Sequence, residues 1–292
     1  MARAFEKLGC ELDTIYVKSE NYDYDETLLN KFQKKISDTL PDCVFSINFL
    51  PIISKVCKVY KTLYISWIYD SPEMHLYSSA VTNPNNRIFF FDKIQYNRFY
   101  KYNSENMFYM PLASEPMSES AICGITDKQH RDYDGEVSFI GSLYNEKKKR
   151  FHELSKLPDY YRGYLQGLAE AQLNVYGYNF IADSIPEDMV KKIADLLQYE
   201  LVDDYRRVDK EVIADMYVGP MVSSMERMRV LQMLADNFKL SLYTDSDTKE
   251  LKGVINKGTA DSLIAMPVIF NCSKININIT SKTTFFATCR KK

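Results

Sequence analysis

The sequence has no excess of charge of either sign, no long apolar run and no leading basic-then-apolar segment. Its 37 Lys and Arg residues balance 39 Asp and Glu residues, which leaves no electrostatic footprint for nucleic acid or an anionic membrane. The apolar runs, such as residues 88–91, are far too short to span a bilayer. We therefore expect no nucleic-acid partner and no membrane span.

The cysteines show neither a CxxC pair nor a histidine at metal-ligand spacing. They are Cys10, Cys43, Cys57, Cys123, Cys272 and Cys289. This pattern supports neither a zinc site nor a redox motif, and it fits reduced thiols in a cytoplasmic protein. The glycine-rich GxGxxG and Walker patterns are also absent, so any phosphate has to be bound by a less distinctive segment.

What is present is a folded α/β pattern long enough for two lobes. The chain has 292 residues, of which 46% are hydrophobic and 26% charged, as in ordinary globular proteins. Predicted strands lie at residues 11–17, 43–48, 62–69, 87–92, 107–112, 137–140, 240–244 and 275–279, and predicted helices at 2–8, 26–40, 53–60, 94–102, 147–155 and 267–272. Alternating strands and helices predict parallel sheets. A polar stretch without periodicity divides them into a first lobe at residues 1–115, a linker at 116–136 and a second lobe at 137–292.

Asp70 is the candidate catalytic residue of the first lobe. The apolar strand that ends at Trp67-Ile-Tyr-Asp70 runs into Ser71 and a proline. Ligands of open α/β sheets sit beyond the carboxyl ends of the strands, so Asp70 is predicted to face a cleft, where a carboxylate can orient or deprotonate a hydroxyl. The alternative is that Asp70 only caps the following turn.

The candidate phosphate site lies in the second lobe. Residues 137–140 form a strand that ends in Gly141 and Ser142, and Asn145 is placed to cap a helix over residues 147–155. A glycine lets backbone amides approach a ligand, and a helix N-terminus favours a diphosphate. Any βα connection can use a glycine, so this turn is a weak signal alone.

A strand near the end of the chain carries polar residues on one side. Asn276, Asn278 and Thr280 alternate with isoleucines, and such a face either binds sugar or ribose hydroxyls or is merely solvated. Two DxD strings, at residues 23–25 and 245–247, match a metal-binding signature, but strings this short are common by chance. We interpret them as loop acids and expect no metal.

Four segments in order resemble those of the CgeB-type, spore-maturation-like glycosyltransferases of bacteria. They are residues 45–54 (FSINFLPIIS), 67–72 (WIYDSP), 137–144 (VSFIGSLY) and 273–280 (SKININIT). The resemblance implies the two Rossmann-like lobes of a GT-B enzyme, an N-terminal acceptor lobe and a C-terminal nucleotide-sugar lobe. It implies metal-independent sugar transfer without a cofactor, with Gly141, Ser142, Tyr144, Asn276, Asn278 and Thr280 near the donor, Asp70 as the catalytic residue, and Asn48, Trp67 and Ser71 in the acceptor-side cleft.

Compared with that family, the first lobe lacks its first strand and the second lobe is incomplete after residue 282. We therefore expect weak nucleotide-sugar binding and poor turnover. The main alternative is a non-catalytic binding protein on the same scaffold. A two-lobed periplasmic-type ligand binder is disfavoured by the missing signal segment and the thiols.

Overall fold

The computed structural model describes residues 2–16, 25–113, 123–146, 149–198 and 209–281. Strands β1 to β8 span Cys43–Ile47, Leu63–Ile68, Asn86–Phe90, Met107–Tyr109, Gly135–Ile140, Leu240–Tyr243, Ile255–Asn256 and Ser273–Ile277. The α-helices span Ala2–Lys7, Glu26–Thr39, Pro51–Tyr60, Lys93–Phe99, Asp127–Tyr133, Asp159–Leu173, Ile181–Ser184, Glu187–Leu197, Asp209–Val212, Gly219–Asn237 and Ala265–Cys272. Short 3-10 helices span Met74–Tyr77, Ser79–Thr82, Tyr100–Tyr102, Ser104–Asn106 and Arg150–Lys156, and a π-helix spans Ile213–Val218.

The strands form two separate parallel sheets, which confirms the predicted α/β class with two lobes. Sheet one has the order β1-β2-β3-β4, and sheet two has the order β7-β6-β5-β8. In chain order, sheet two therefore runs 3-2-1-4, the arrangement of one half of a Rossmann fold. Residues 123–134 between the sheets include the helix Asp127–Tyr133, which Thr126 and Gln129 start with a reciprocal capping box.

The core of lobe one forms because helix Pro51–Tyr60 is apolar along one face. Proline is favourable in the first turn, where its missing N–H has no helical partner. Ile52, Ile53 and Val56 of this helix are buried together with Tyr64 of β2 and Phe90 of β3. The alternating burial of β2 and β3 is the period-two pattern of a strand with one face in a core.

Lobe two combines a helical core with the core beneath its sheet. The helical cluster includes Leu165, Ile193 and Val222, and the sheet cluster includes Val137 and Leu242. Helix Gly219–Asn237 contributes to both clusters, because Val222 belongs to the first and Leu231 to the second. This helix thus fixes the sheet of lobe two relative to its helical layer.

A charged contact joins the lobes at the π-helix Ile213–Val218. Asp215 is buried there and accepts a short hydrogen bond from Arg98 of lobe one, which also donates to the Tyr77 hydroxyl at 3.2 Å. The π-helix leads directly into Gly219 and Pro220. Proline disrupts α-helical hydrogen bonding at this point, and a wider turn accommodates the disruption.

Two predicted elements are wrong. The strand predicted over 11–17 is absent from residues 11–16; Ile15 packs against the core of lobe one, but the other side chains are exposed, so no face of the segment is buried. Residue 17 lies outside the described residues. The helix predicted over 147–155 is a 3-10 helix at Arg150–Lys156, and Asn145 does not cap it, because the Asn145 side chain donates instead to the Asp247 carbonyl at 2.7 Å. Residues 147–148 lie outside the described part of the chain.

No helix in the described ranges has the length and apolar character needed to cross a bilayer. The cysteines of those ranges, Cys10, Cys43, Cys57, Cys123 and Cys272, are free thiols. Residues 282–292, which include Cys289, lie outside the described ranges. The prediction that lobe two is incomplete concerns these residues.

Candidate functional site

The order of sheet two places a topological switch point between β5 and β8. From β5 the chain continues to β6 on one side and returns later to β8 on the other, and both neighbours are parallel to β5. The carboxyl ends of β5 and β8 therefore flank a crevice that no crossover connection covers, which is where open α/β sheets bind ligands. Gly141 and Ser142 follow β5 directly, and Asn278 follows β8 directly.

Gly141 occupies a backbone conformation that suits glycine alone. Its φ of 149° belongs to a region that residues with a side chain rarely adopt. A Cβ atom at this position would lie at ordinary contact distance, 3.5 Å from the Phe139 ring and 3.8 Å from Arg227 Nη1. The backbone conformation, and not a lack of space, is therefore what requires glycine here.

Arg227 of helix Gly219–Asn237 supplies the positive charge at this edge. Its Nη1 donates to the Ser142 carbonyl, and its Nη2 donates to the Ile279 carbonyl at 2.7 Å, so the guanidinium bridges the segments after β5 and β8. Burial lowers the pKa of Arg227, and the neighbouring Tyr144 and Glu146 oppose this effect. Arginine titrates so far above neutrality that Arg227 stays charged. The Arg227 Nε also donates to the Ile279 carbonyl at 3.2 Å, so these bonds occupy three of the five N–H groups of the guanidinium and leave at most two for an anionic ligand.

Tyr144 lies between two cations. The Arg227 guanidinium carbon is 4.3 Å from the centre of its ring, and Lys149 Nζ is 4.6 Å from it. Tyr144 has a φ of 59°, a left-handed conformation that turns the chain sharply after β5. Attraction to the ring holds both cations beside the carboxyl end of β5, where Glu146 pairs with Lys149 at 4.0 Å and the carboxylates of Glu146 and Glu226 lie near Arg227.

Glu146 and Ser246 close the turn after β5. Ser142 Oγ donates to Glu146 Oε1 in a short hydrogen bond, and Ser246 Oγ lies 2.9 Å from the same oxygen. The Ser246 hydroxyl also accepts from the Leu143 amide at 2.8 Å, which ties the loop after β6 to the loop after β5. Burial opposes ionisation of Glu146, but the two serine hydrogen bonds, a backbone hydrogen bond and the charge of Lys149 together outweigh it and hold the pKa of Glu146 below its usual value.

This lowered pKa predicts a pH-dependent contribution to stability. A carboxylate with a depressed pKa in the folded state stabilises the fold above its unfolded pKa, and the contribution is lost as the pH falls through the folded pKa. We expect Glu146→Gln to lower the melting temperature near neutral pH and to reduce the further loss on acidification. Thermal melts across the acid range test this, with the exposed Glu250→Gln as the control. A wild-type acid dependence in Glu146→Gln would contradict the expected role of the carboxylate.

The predicted residues of the last strand separate into two groups. Asn276 lies within β8, where it accepts from Ser138 Oγ at 2.6 Å and donates to the Phe270 carbonyl at 2.9 Å. Its amide is thus occupied by structural contacts. Asn278 and Thr280 follow β8, are exposed, and flank Ile279, whose carbonyl binds Arg227.

The carboxyl edge of sheet one carries the other predicted residues. Asn48 has a φ of 60° and follows β1. Its Nδ2 donates to Asp70 Oδ2 at 2.7 Å, and its Oδ1 accepts from the Tyr69 and Asp70 amides at 2.8 and 3.0 Å. Asp70 is therefore exposed but held in one orientation by a single amide side chain.

The surroundings of Asp70 are partly polar and buried. Gln95 donates to the Asp70 carbonyl at 2.9 Å, and Ser71 Oγ donates to Asp92 Oδ2 at 2.6 Å. Asp92 is buried and also caps helix Lys93–Phe99 through the Ile94 amide. Trp67 is half-buried, and its indole Nε1 has no hydrogen-bond partner among the described residues. Ser71 is thus committed to Asp92, whereas Asn48 and Asp70 form a direct pair.

Sequence reasoning missed three residues of the switch point: Arg227, Glu146 and Ser246. An arginine in a helix has the same local pattern as a solvated residue, and the carbonyl partners of Arg227 lie 85 and 52 residues away along the chain. Ser246 is the middle residue of the second DxD string, where the acids drew attention; those acids, Asp245 and Asp247, are exposed in the loop after β6. Asp23 of the first string lies outside the described residues.

The fold and the site define a two-sheet α/β protein whose second sheet has a Rossmann-type switch point with a half-buried arginine beside it. No protein-family model and no curated protein matches the chain. Two solved structures resemble it, each over 93% of this chain and 76% of the other chain: a glycosyltransferase from Rickettsia africae ESF-5, with 7% identity and a TM-score of 0.32, and a UDP-N-acetylglucosamine 2-epimerase from Listeria monocytogenes, with 9% identity and a TM-score of 0.30. At this level of likeness neither neighbour assigns an activity to this chain.

Proposed function

We propose that the chain is a glycosyltransferase of the GT-B type, of the kind that its four sequence segments resemble, which transfers a sugar from a nucleotide-sugar to an acceptor. The observation that carries the proposal is Arg227, a cation held at the switch point of a sheet with Rossmann strand order. An arginine fork matches the geometry of phosphate oxygens. The proposal also places the protein in the cytoplasm. The five free thiols of the described residues support this location.

In this proposal the donor lies across the edge of sheet two. The diphosphate contacts Arg227 and the backbone around Gly141, where a glycine permits close approach. Lys149 adds a second positive charge beside Tyr144. Asn278 and Thr280 are exposed at the adjoining strand end and are assigned to the hydroxyls of the donor. Asn276 is withdrawn from this role because its side chain already binds Ser138 and Phe270.

Asp70 is the proposed general base. It is exposed at a strand end, and Asn48 fixes one carboxylate oxygen while the other remains for an acceptor hydroxyl. A positioned carboxylate that removes a proton in the transition state contributes roughly 10²–10⁴-fold to a rate. Positive charge at the donor phosphates stabilises the leaving group, and for this reason the proposal includes no metal ion.

We expect Asp70→Asn to lower kcat about 100-fold or more while nucleotide-sugar affinity stays unchanged. The asparagine keeps the shape of the side chain but cannot accept the proton. Steady-state kinetics and calorimetric titration of the same preparations measure the two effects separately. Asp236→Asn, at an exposed position on helix Gly219–Asn237, is the control. Unchanged kcat in Asp70→Asn would remove the general-base role.

The experiment for the function as a whole is a screen of nucleotide-sugars for binding, and for turnover in the presence of a panel of hydroxyl acceptors, with EDTA present in parallel reactions. Calorimetry reports binding, and release of the nucleoside diphosphate reports turnover. The proposal expects at least one donor to bind and to be consumed whether or not EDTA is present. Binding without consumption would favour a non-catalytic binding protein, and the absence of binding to any donor would refute the proposal.

A further inference from the structure

Helix Lys93–Phe99 of lobe one holds the turn that carries Asp70. Gln95 is buried on this helix, and its Nε2 donates to the Asp70 carbonyl at 2.9 Å. Asp92, which caps the helix, accepts from Ser71 Oγ at 2.6 Å. Two consecutive residues of the turn are therefore bound to the first turn of one helix, so the orientation of Asp70 depends on where that helix lies.

The same helix reaches lobe two one turn further along. Residues three positions apart are neighbours on the surface of a helix, so Arg98 follows Gln95 along one side. Arg98 binds the Tyr77 hydroxyl and the buried Asp215 of the π-helix in lobe two. Lobe two thus holds the helix at Arg98, three residues from the side chain that holds the turn.

The segment after the Asp70 turn contacts lobe two independently. Met74 is half-buried and packs against both the core of lobe one and the helical core of lobe two. Tyr77, three residues later, meets Phe99 at the end of the helix in an edge-to-face arrangement, with ring centres 4.9 Å apart. The turn, the helix and the segment after the turn are therefore tied together, and the helix and the segment both contact lobe two.

We propose that helix Lys93–Phe99 couples the contact between the lobes to the position of Asp70, with Gln95 as the positioning residue. While lobe two holds Arg98, Gln95 holds the Asp70 carbonyl and the carboxylate is presented in one orientation. When the lobe contact is lost, the helix and the turn gain freedom together, because they form one contiguous set of contacts. The consequence for catalysis rests on the proposed function, whereas the coupling of the contacts does not.

Hydrogen exchange of the Tyr69 and Asp70 amides measures the coupling without a substrate. Both amides donate to Asn48 Oδ1, at 2.8 and 3.0 Å, so they exchange slowly while the turn is held. Arg98→Met with Asp215→Leu removes the polar lobe contact without leaving a buried charge. This double replacement should accelerate exchange of both amides about tenfold. Mass spectrometry with fragmentation to single residues resolves the two amides.

Two further variants give the comparison. Gln95→Met removes the bond to the Asp70 carbonyl directly, and it should accelerate exchange of the same amides while the lobe contact stays intact. Arg162→Met with Asp159→Leu makes the same two changes at an exposed ion pair, and it should exchange like the wild type. Wild-type exchange in the variant without the lobe contact would overturn the inference. Equal acceleration throughout the core strand β3 would also overturn it, because the loosening would then be general.

Kinetics test the consequence for catalysis. With a nucleotide-sugar that the wild type consumes, Gln95→Met should lower kcat about tenfold and leave nucleotide-sugar affinity unchanged, because a displacement of about 1 Å can cost roughly 100-fold in rate. The variant without the lobe contact should behave in the same way. Accelerated exchange with wild-type kcat would overturn the positioning role of Gln95. If the wild type consumes no nucleotide-sugar, the proposed function fails, and the exchange experiment still decides the coupling.

Discussion

Arg227→Gln is expected to weaken nucleoside diphosphate binding about 10- to 100-fold. The carbonyls of Ser142 and Ile279 hold the guanidinium at the strand ends through three of its five N–H groups, and the remaining donors are assigned to phosphate. A hydrogen bond to a charged group contributes roughly 1.5–3 kcal/mol, and each 1.4 kcal/mol is about tenfold in affinity. Glutamine retains a donor for the carbonyls but removes the charge. Calorimetric titration of wild type and variant measures the difference.

Two companion variants separate charge from structure. Arg227→Lys keeps the charge without the planar fork, so its affinity should lie between those of the wild type and Arg227→Gln. Arg162→Gln makes the same chemical change at an exposed arginine that pairs with Asp159, and it should bind like the wild type. If Arg227→Gln melts at the wild-type temperature and binds with wild-type affinity, Arg227 has no part in phosphate binding.

Asp215→Asn is expected to lower the free energy of unfolding by about 2–4 kcal/mol. Breaking a buried ion pair leaves the remaining charge without its partner, which costs roughly 3–5 kcal/mol. The expected loss is smaller here because the Arg98 side chain is 33% exposed, and water screens its charge. Burial raises the pKa of Asp215, and Arg98 opposes that effect. Chemical denaturation followed by circular dichroism measures the loss.

The double replacement Arg98→Met with Asp215→Leu distinguishes an unpaired charge from lost packing. When both charges are removed, a large part of the stability should return, because apolar pairs of similar volume often replace buried ion pairs without loss. Asp236→Asn serves again as the exposed control and should change stability by less than about 0.5 kcal/mol. Wild-type stability in Asp215→Asn would show that the contact between the lobes contributes little.

Strand periodicity predicted seven of the eight strands because each of the seven packs at least one side chain against a core, whereas β7 is exposed at both residues and was not predicted. The strands predicted at 62–69 and 240–244 appear as Leu63–Ile68 and Leu240–Tyr243. The period-two pattern wrongly predicted a strand at residues 11–16, because most side chains there are exposed and no strand face is buried. The helix expected after Gly141 failed for another reason: Asn145 binds a carbonyl 102 residues further along the chain, a partner that local sequence does not reveal.

The two halves of the candidate site differed in how far sequence could predict them. Turn residues after a strand, such as Gly141 and Asp70, carry a local signal, and the structure places both at carboxyl edges. The contacts that give these positions their chemistry are long-range: Arg227 reaches the turn after β5 across 85 residues, and Asn48 reaches Asp70 across 22. That the carboxyl edges of sheet one and sheet two bind the acceptor and the donor of one reaction stays a prediction.

A crystal structure of the chain with the nucleoside diphosphate that binds most tightly in calorimetry tests the central claim most directly. We predict phosphate oxygens within hydrogen-bond distance of the Arg227 guanidinium and beside the backbone of Gly141 and Ser142, at the carboxyl ends of β5 and β8. A nucleotide bound anywhere else on the chain, with Arg227 engaged only by the Ser142 and Ile279 carbonyls, would contradict the proposal.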